Sequence, residues 1–148
     1  MLMDDRSILE LIHAAHHLLE KLETTARDYG TGDLLYPADI HTVIALDQHE
    51  GSNLTQLAAV LDVSPPAAFK FVKKLVSLGY LQKERLSGND KEVALYLTEK
   101  GKLAVAAHRL FMQKVFGPLM AIEASLTTVQ RDTIRKFLQD LERACSWG

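Results

Sequence analysis

The sequence predicts a mainly α-helical fold with one small β-hairpin wing, and three observations predict it. Apolar residues recur at helical spacing in six segments. Capping residues stand ahead of most of those segments. Two short strand-like runs flank a single turn beyond the middle of the chain. The first segment, about residues 4 to 28, places Ile8, Leu11, Ile12, Ala15, Leu18, Leu19 and Leu22 on one stripe. "DYGTGD" stops it with Gly30 and Gly32, and Pro37 with Asp39 opens a second helix through Ile40, Val43, Ile44 and Leu46. Asn53 and Gln56 have capping-box spacing, so a third, short helix covers Leu54 to Leu61.

The next stretch, "DVSPPAAFKFVKKL", sets two prolines before an apolar repeat. Proline is costly inside a helix but harmless in the first turn, whose amides have no intrahelical partner. Ser64 is a good N-cap, so Pro65 and Pro66 begin a fourth helix rather than break one. Gly79 ends it as a C-cap. "YLQKERL" and "KEVALYLT" then form strands around the turn "SGND". Thr98 caps a fifth helix expected to end near Gly117 and Pro118, and Thr127 with Gln130 caps a sixth carrying Ile134, Phe137, Leu138 and Leu141.

With 148 residues, 47% hydrophobic and 24% charged, the chain has ordinary globular composition and a length that suits one domain. No apolar run reaches the length of a membrane span and the acidic start lacks a signal-peptide n-region, so a cytoplasmic protein is expected. The single Cys145 excludes an internal disulfide and is given no role. The net charge of −2 hides a strong asymmetry. Residues 1 to 62 hold eleven acids against three bases, whereas residues 63 to 91 hold six bases against two acids. A local cationic face is what contact with a phosphate backbone needs, whatever the global charge.

A short helix, a tight turn, a second helix and a basic hairpin are the layout of a winged helix-turn-helix. In that layout Ala58 sits at the helix crossing, and Leu57, Leu61, Ala68, Phe71, Val72 and Leu75 share the core. Asp62 takes the turn position where glycine is usual, a left-handed conformation that aspartate tolerates. Outward on the fourth helix stand Pro66, Phe69, Lys70, Lys73, Lys74 and Ser77. The lysines suit phosphates or a guanine edge, with Lys70 and Lys74 foremost. Pro66 and Phe69 offer apolar contact, for instance to a thymine methyl. Phe69 folded back onto the third helix is an equal alternative, and for Ser64 capping alone outweighs a base contact.

The stretch "NLTQLAAVLDVSPPAAFKFVKKLVSLGYLQKERLSGNDKEVALYLTEKG" resembles the MarR family of bacterial winged-helix transcription regulators. Its "LA", "KKL", helix-closing glycine and "LTEKG" fall at the family spacing. The resemblance implies a single MarR-like domain over 1–148, with the winged helix-turn-helix at about 33–101 and dimerisation helices at 1–32 and 102–148. It further implies a homodimer regulating transcription from double-stranded DNA with an inverted-repeat site. The DNA-binding set is then Ser64, Pro65, Pro66, Phe69, Lys70, Lys73 and Lys74 on the fourth helix, with Lys83, Arg85, Asn89 and Lys91 in the wing. Asn89 and Lys91 stand where many members carry Asp-x-Arg, and a lysine lacks the planar fork of arginine.

No phosphate loop, nucleophile elbow or carboxylate cluster is present, so an enzyme is not expected. Of the six histidines, His13 and His17 lie off the apolar stripe and read as solvent-exposed. Resemblance to zinc-responsive members implies a metal set of Glu23, His41 and His108, with Met112 where those members have a further histidine. Ordinary hydrogen-bonded histidines at a helix junction are the favoured alternative. The same region, with Leu22, Val105 and Phe111, would otherwise take a small aromatic or hydrophobic effector. A winged helix serving only protein interaction is the third reading, and the basic stretch argues against it.

Overall fold

The computed structural model describes residues 5–85 and 93–146, which fall into two compact units, residues 1–108 and residues 109–148. The elements of the first are α1 (Ile8–Thr24), β1 (Arg27–Asp28), β2 (Leu34–Leu35), α2 (Pro37–Gln48), α3 (Leu54–Val60), α4 (Pro65–Ser77), β3 (Leu81–Arg85), β4 (Val93–Leu97) and the start of α5 (Glu99–Ser125). The second holds the rest of α5 and α6 (Thr128–Cys145). Among the described residues, no helix is long and apolar enough to cross a membrane.

The core of the first unit is where the apolar faces of α2, α3 and α4 meet the hairpin. Leu35, Ile40, Val43 and Leu46 pack with Leu57, Ala58, Ala68, Val72 and Leu75 beneath Tyr80, Leu81, Leu95 and Leu97, all of them buried. Leu61 and Phe71, expected in that core, are only half-buried. Ser64 caps α4 as expected, its hydroxyl accepting from the Ala67 amide at 3.4 Å. Asp62 adopts φ 54°, and the turn closes on backbone bonds from the Asp62 and Val63 amides to the Ala59 and Ala58 carbonyls.

Three features depart from the sequence reading. "DYGTGD" does more than stop α1. It is the bend of a small hairpin, with Arg27 opposite Leu35 and Asp28 opposite Leu34. The Asp28 carboxylate accepts from the Thr31 and Gly32 amides and so holds the bend, while Gly30 and Gly32 supply positive φ. The wing also gains an edge from outside its two strands. Gly51 donates to the Leu95 carbonyl and Leu95 to that of Ser52, each at 2.9 Å, so residues 51 and 52 pair with β4 on the side away from β3.

The third departure lies in the second unit, where α5 does not end at Gly117 and Pro118 but continues to Ser125. A proline loses one helical hydrogen bond and crowds the preceding turn, which disfavours a helix without forbidding it. After Ser125 a short link leads to Thr127, which caps α6 in a reciprocal box with Gln130. Neither α1 nor α6 buries a single residue, so their apolar stripes stand open.

Candidate nucleic-acid interface

α4 presents two opposed faces. Ala68, Val72 and Leu75 are turned into the core, and Pro66, Phe69, Lys70, Lys73 and Ser77 are exposed on the opposite arc of the helix. Phe69 is 48% exposed, so about half of that side chain is open on this face. Lys74 stands on the flank between the two faces, and the structure gives it a partner that the sequence reading did not name. Its ammonium lies 2.5 Å from Asp39 Oδ2 and 5.6 Å from the centroid of the Tyr36 ring. Asp39 is 3% exposed and its carboxylate also accepts from the Tyr36 amide at 2.9 Å. A buried carboxylate needs a counter-charge, and Lys74 provides it, tying α4 to the start of α2. Lys74 is held in this ion pair, whereas Lys70 and Lys73 are exposed.

The N-terminus of α4 differs from most helix starts. Pro65 and Pro66 have no amide hydrogen, the Ala67 amide donates to Ser64 Oγ, and that of Ala68 donates to the Ser64 carbonyl. No first-turn amide is left to bind an anion, although helix starts usually do so. Phosphate contact from this element therefore falls to its lysines. On the wing, Lys83 and Arg85 are exposed on β3 and share one side of the strand by its two-residue period. Asn89 and Lys91 lie outside the described residues.

The base of the wing is fixed by a polar cluster that sequence reasoning missed. The Tyr80 hydroxyl donates to Asp33 Oδ2 at 2.9 Å and accepts from Thr31 Oγ1, and Lys100 Nζ reaches the same carboxylate oxygen at 2.6 Å. The Lys100 ammonium also donates to the Leu78 carbonyl and lies 4.6 Å from the Tyr80 ring centroid. Hydrogen bonds from Lys100 and Tyr80 hold the Asp33 carboxyl below its usual range. The Thr98 hydroxyl donates to the Gly79 carbonyl and accepts the Gly101 amide, capping α5 while tying it to the end of α4. A side chain at Gly101 would collide with the Tyr80 carbonyl. "LTEKG" is therefore a docking device: cap, ion-pairing lysine and close-approach glycine in four consecutive residues after Leu97.

Of the metal-ligand candidates, the structure brings two together. The rings of His41 and His108 meet edge to face with centroids 6.2 Å apart, and His108 also lies 5.6 Å from the ring of Tyr29. Burial, aided by the neighbouring His41, pulls the His108 pKa down and favours its neutral form. Glu23 is exposed on α1 and does not join them. Among the described residues no group of three histidine, cysteine or acidic side chains is gathered to hold an ion. Leu22 is half-buried and Val105 buried, whereas Phe111 and Met112 belong to the second unit. His13 and His17 are exposed, as read.

The family model described as "MarR family" matches residues 35–93, which span β2 to the start of β4. Two regulators of Bacillus subtilis strain 168 are similar in sequence. The uncharacterized HTH-type transcriptional regulator YhjH is 28% identical over 97 residues, covering 66% of this chain and 55% of that protein. The HTH-type transcriptional regulator PchR is 26% identical over 102 residues, covering 69% and 60%. The chain thus matches little more than half the length of these relatives. Among solved structures, the zinc-responsive MarR family member ZitR of Lactococcus lactis aligns with a TM-score of 0.72 at 23% identity, over 93% of this chain and 95% of that one. Wild-type ZitR in complex with DNA gives 0.72 at 21%, over 93% and 97%. The zinc-dependent MarR family transcriptional regulator AdcR in its Zn(II)-bound state gives 0.69 at 20%, over 94% and 98%. At these identities the solved structures speak to the fold alone. The family match falls on the winged-helix segment, residues 35–93, where this chain is similar to the MarR family, and the solved structures show that it shares their fold.

Proposed function

We propose that this chain is a sequence-specific DNA-binding regulator of transcription that acts as a cytoplasmic homodimer on an inverted-repeat site. One observation carries the reading. Lys70 and Lys73 on α4, with Lys83 and Arg85 on β3, are exposed cations on a winged helix whose buried acid, Asp39, is already neutralised by Lys74. α4 itself holds no acidic residue to repel a phosphate backbone. The similarity to ZitR, solved in complex with DNA, supports the same use of the fold. Fluorescence anisotropy on pooled genomic fragments tests it. Binding is expected to weaken steeply with salt and to enrich an inverted repeat. Binding to no fragment would leave the winged helix as a protein-interaction module.

The ring cluster of His41, His108 and Tyr29 is proposed to take a small aromatic or hydrophobic effector, with an imidazole to fix one polar group. Such a ligand alters DNA affinity only by preferring one arrangement of the winged helices. A zinc-type regulator is the second reading, favoured by the paired imidazoles and by the similarity to zinc-responsive ZitR. Metal analysis separates the two. Zinc retained stoichiometrically by the wild type, and lost in His41→Ala and His108→Ala together with operator affinity, would replace the organic ligand with the metal.

A further inference from the structure

We infer that α4 reads DNA chiefly through thymine methyl groups, with Phe69 and Pro66 as the specificity-determining contacts. The inference rests on the proposed DNA-binding function and states how its sequence preference arises.

The argument begins with what the exposed face lacks. The whole of α4 contains no Asp, Glu, Asn, Gln or Arg. Adenine is read in the major groove by the amide of Asn or Gln, which accepts from N6 and donates to N7, and cytosine is read by an acceptor facing N4. α4 has neither group. Two hydroxyls flank this face and each already makes one bond: the N-cap Ser64 Oγ accepts from the Ala67 amide, and Ser77 Oγ, at the far end of the helix from Pro66 and Phe69, donates to the Lys74 carbonyl at 2.7 Å. Lys74 is bound to Asp39. What remains exposed is Lys70 and Lys73, which donate only, and the apolar surfaces of Pro66 and Phe69.

Those groups match one base better than the others. Thymine shows the groove a methyl group and the O4 acceptor, so an apolar side chain and an ammonium together can satisfy it. Guanine, with two acceptors and no methyl, suits the lysines alone. Pro66 and Phe69 are three residues apart at the N-terminal end of the helix, the end that contacts base edges in helix-turn-helix proteins. There is also an unfavourable side to leaving Phe69 open. An aromatic ring 48% exposed keeps apolar surface in water, a cost that methyl contact would remove. The lysines one turn on bring charge complementarity to phosphate, which selects a duplex over an apolar protein partner.

The test starts from a duplex enriched from a random library by the full-length protein, resynthesised with deoxyuridine replacing thymine at one position at a time. Deoxyuridine keeps the base pair and O4 but lacks the methyl. At one or two positions in each half-site affinity should fall about three- to fivefold, the worth of one buried methyl. Phe69→Ala should bind the thymine duplex as weakly as the uracil one and lose the distinction, with its salt slope unchanged. Phe69→Leu, still apolar, should retain part of it. Equal binding of thymine and uracil duplexes by the wild type, or full sensitivity persisting in Phe69→Ala, would overturn the inference while leaving DNA binding intact. Enrichment of no sequence, with binding independent of salt, would remove the DNA-binding function and the inference with it.

Discussion

Lys70, Lys73 and Lys74 look equivalent as letters, and the structure separates them by what each ammonium can reach. Lys70→Ala and Lys73→Ala are each expected to lower the log-log salt slope of DNA binding by about one unit, with little change in stability. Lys74→Ala should do the reverse. It leaves the Asp39 carboxylate with the Tyr36 amide as its remaining bond, so urea denaturation should show a loss of about 1–2 kcal/mol, moderated because Lys74 is partly exposed. An unchanged salt slope in both Lys70→Ala and Lys73→Ala would take these lysines off the interface. A second residue-scale prediction concerns acid. Asp33 has a lowered folded-state pKa, so the stability it contributes is present above its unfolded value, near pH 4, and is lost as pH falls through the folded value. The thermal midpoint of the wild type should therefore drop more steeply below about pH 4 than that of Asp33→Asn. Parallel acid profiles would show that the carboxylate carries no such linkage.

At the scale of elements, local signals proved good guides and their failures have a common cause. The starts of α2, α3, α4 and α6 fall where Pro37, Asn53, Ser64 and Thr127 place them, because a cap acts within three residues of itself. The contacts that escaped notice join distant parts of the chain. Lys74 meets Asp39 across 35 positions, Tyr80 meets Asp33 across 47, and Lys100 meets Asp33 across 67. No periodicity encodes such pairs. The same holds for residues 51 and 52, whose pairing with β4 depends on a hairpin formed some forty residues later. Among the candidate site residues, the exposed set on α4 was legible from helical phase, whereas the ion pair of Lys74 with Asp39 was not, because phase does not show what a long flexible side chain on the flank can reach. α5 was cut short because Gly-Pro is a strong stop signal, whereas Pro118 stands inside the helix. Pro118→Ala restores a backbone donor there and is expected to raise stability by about 1–3 kcal/mol, read as a higher midpoint by circular dichroism. A midpoint that stays or falls would argue against a helix continuous through this position.

For the whole molecule, each unit carries a helix with open apolar side chains: Ile8, Leu9 and Leu18 on α1 in the first, and Ile134, Phe137 and Leu138 on α6 in the second, surface that a second copy of the chain would cover in the proposed homodimer. Equilibrium sedimentation at micromolar concentration is expected to give the mass of a dimer, and a monomer would contradict the proposed assembly. Two-fold symmetry then sets half-sites about one helical turn apart, roughly 34 Å between centres, which a footprint checks. The edge that residues 51 and 52 add to β4 bears on something else, the colloidal behaviour of the protein. With that side of β4 covered, β3 is the outer strand of the wing, and an outer strand with unpaired backbone groups is a template for edge-to-edge aggregation. Lys83, Glu84 and Arg85 crowd that edge with charge and oppose the stacking of one wing on another. The cations proposed to meet phosphate would thus also keep the protein dispersed, so exchanging both Lys83 and Arg85 for apolar residues should precipitate the protein as well as weaken its hold on DNA.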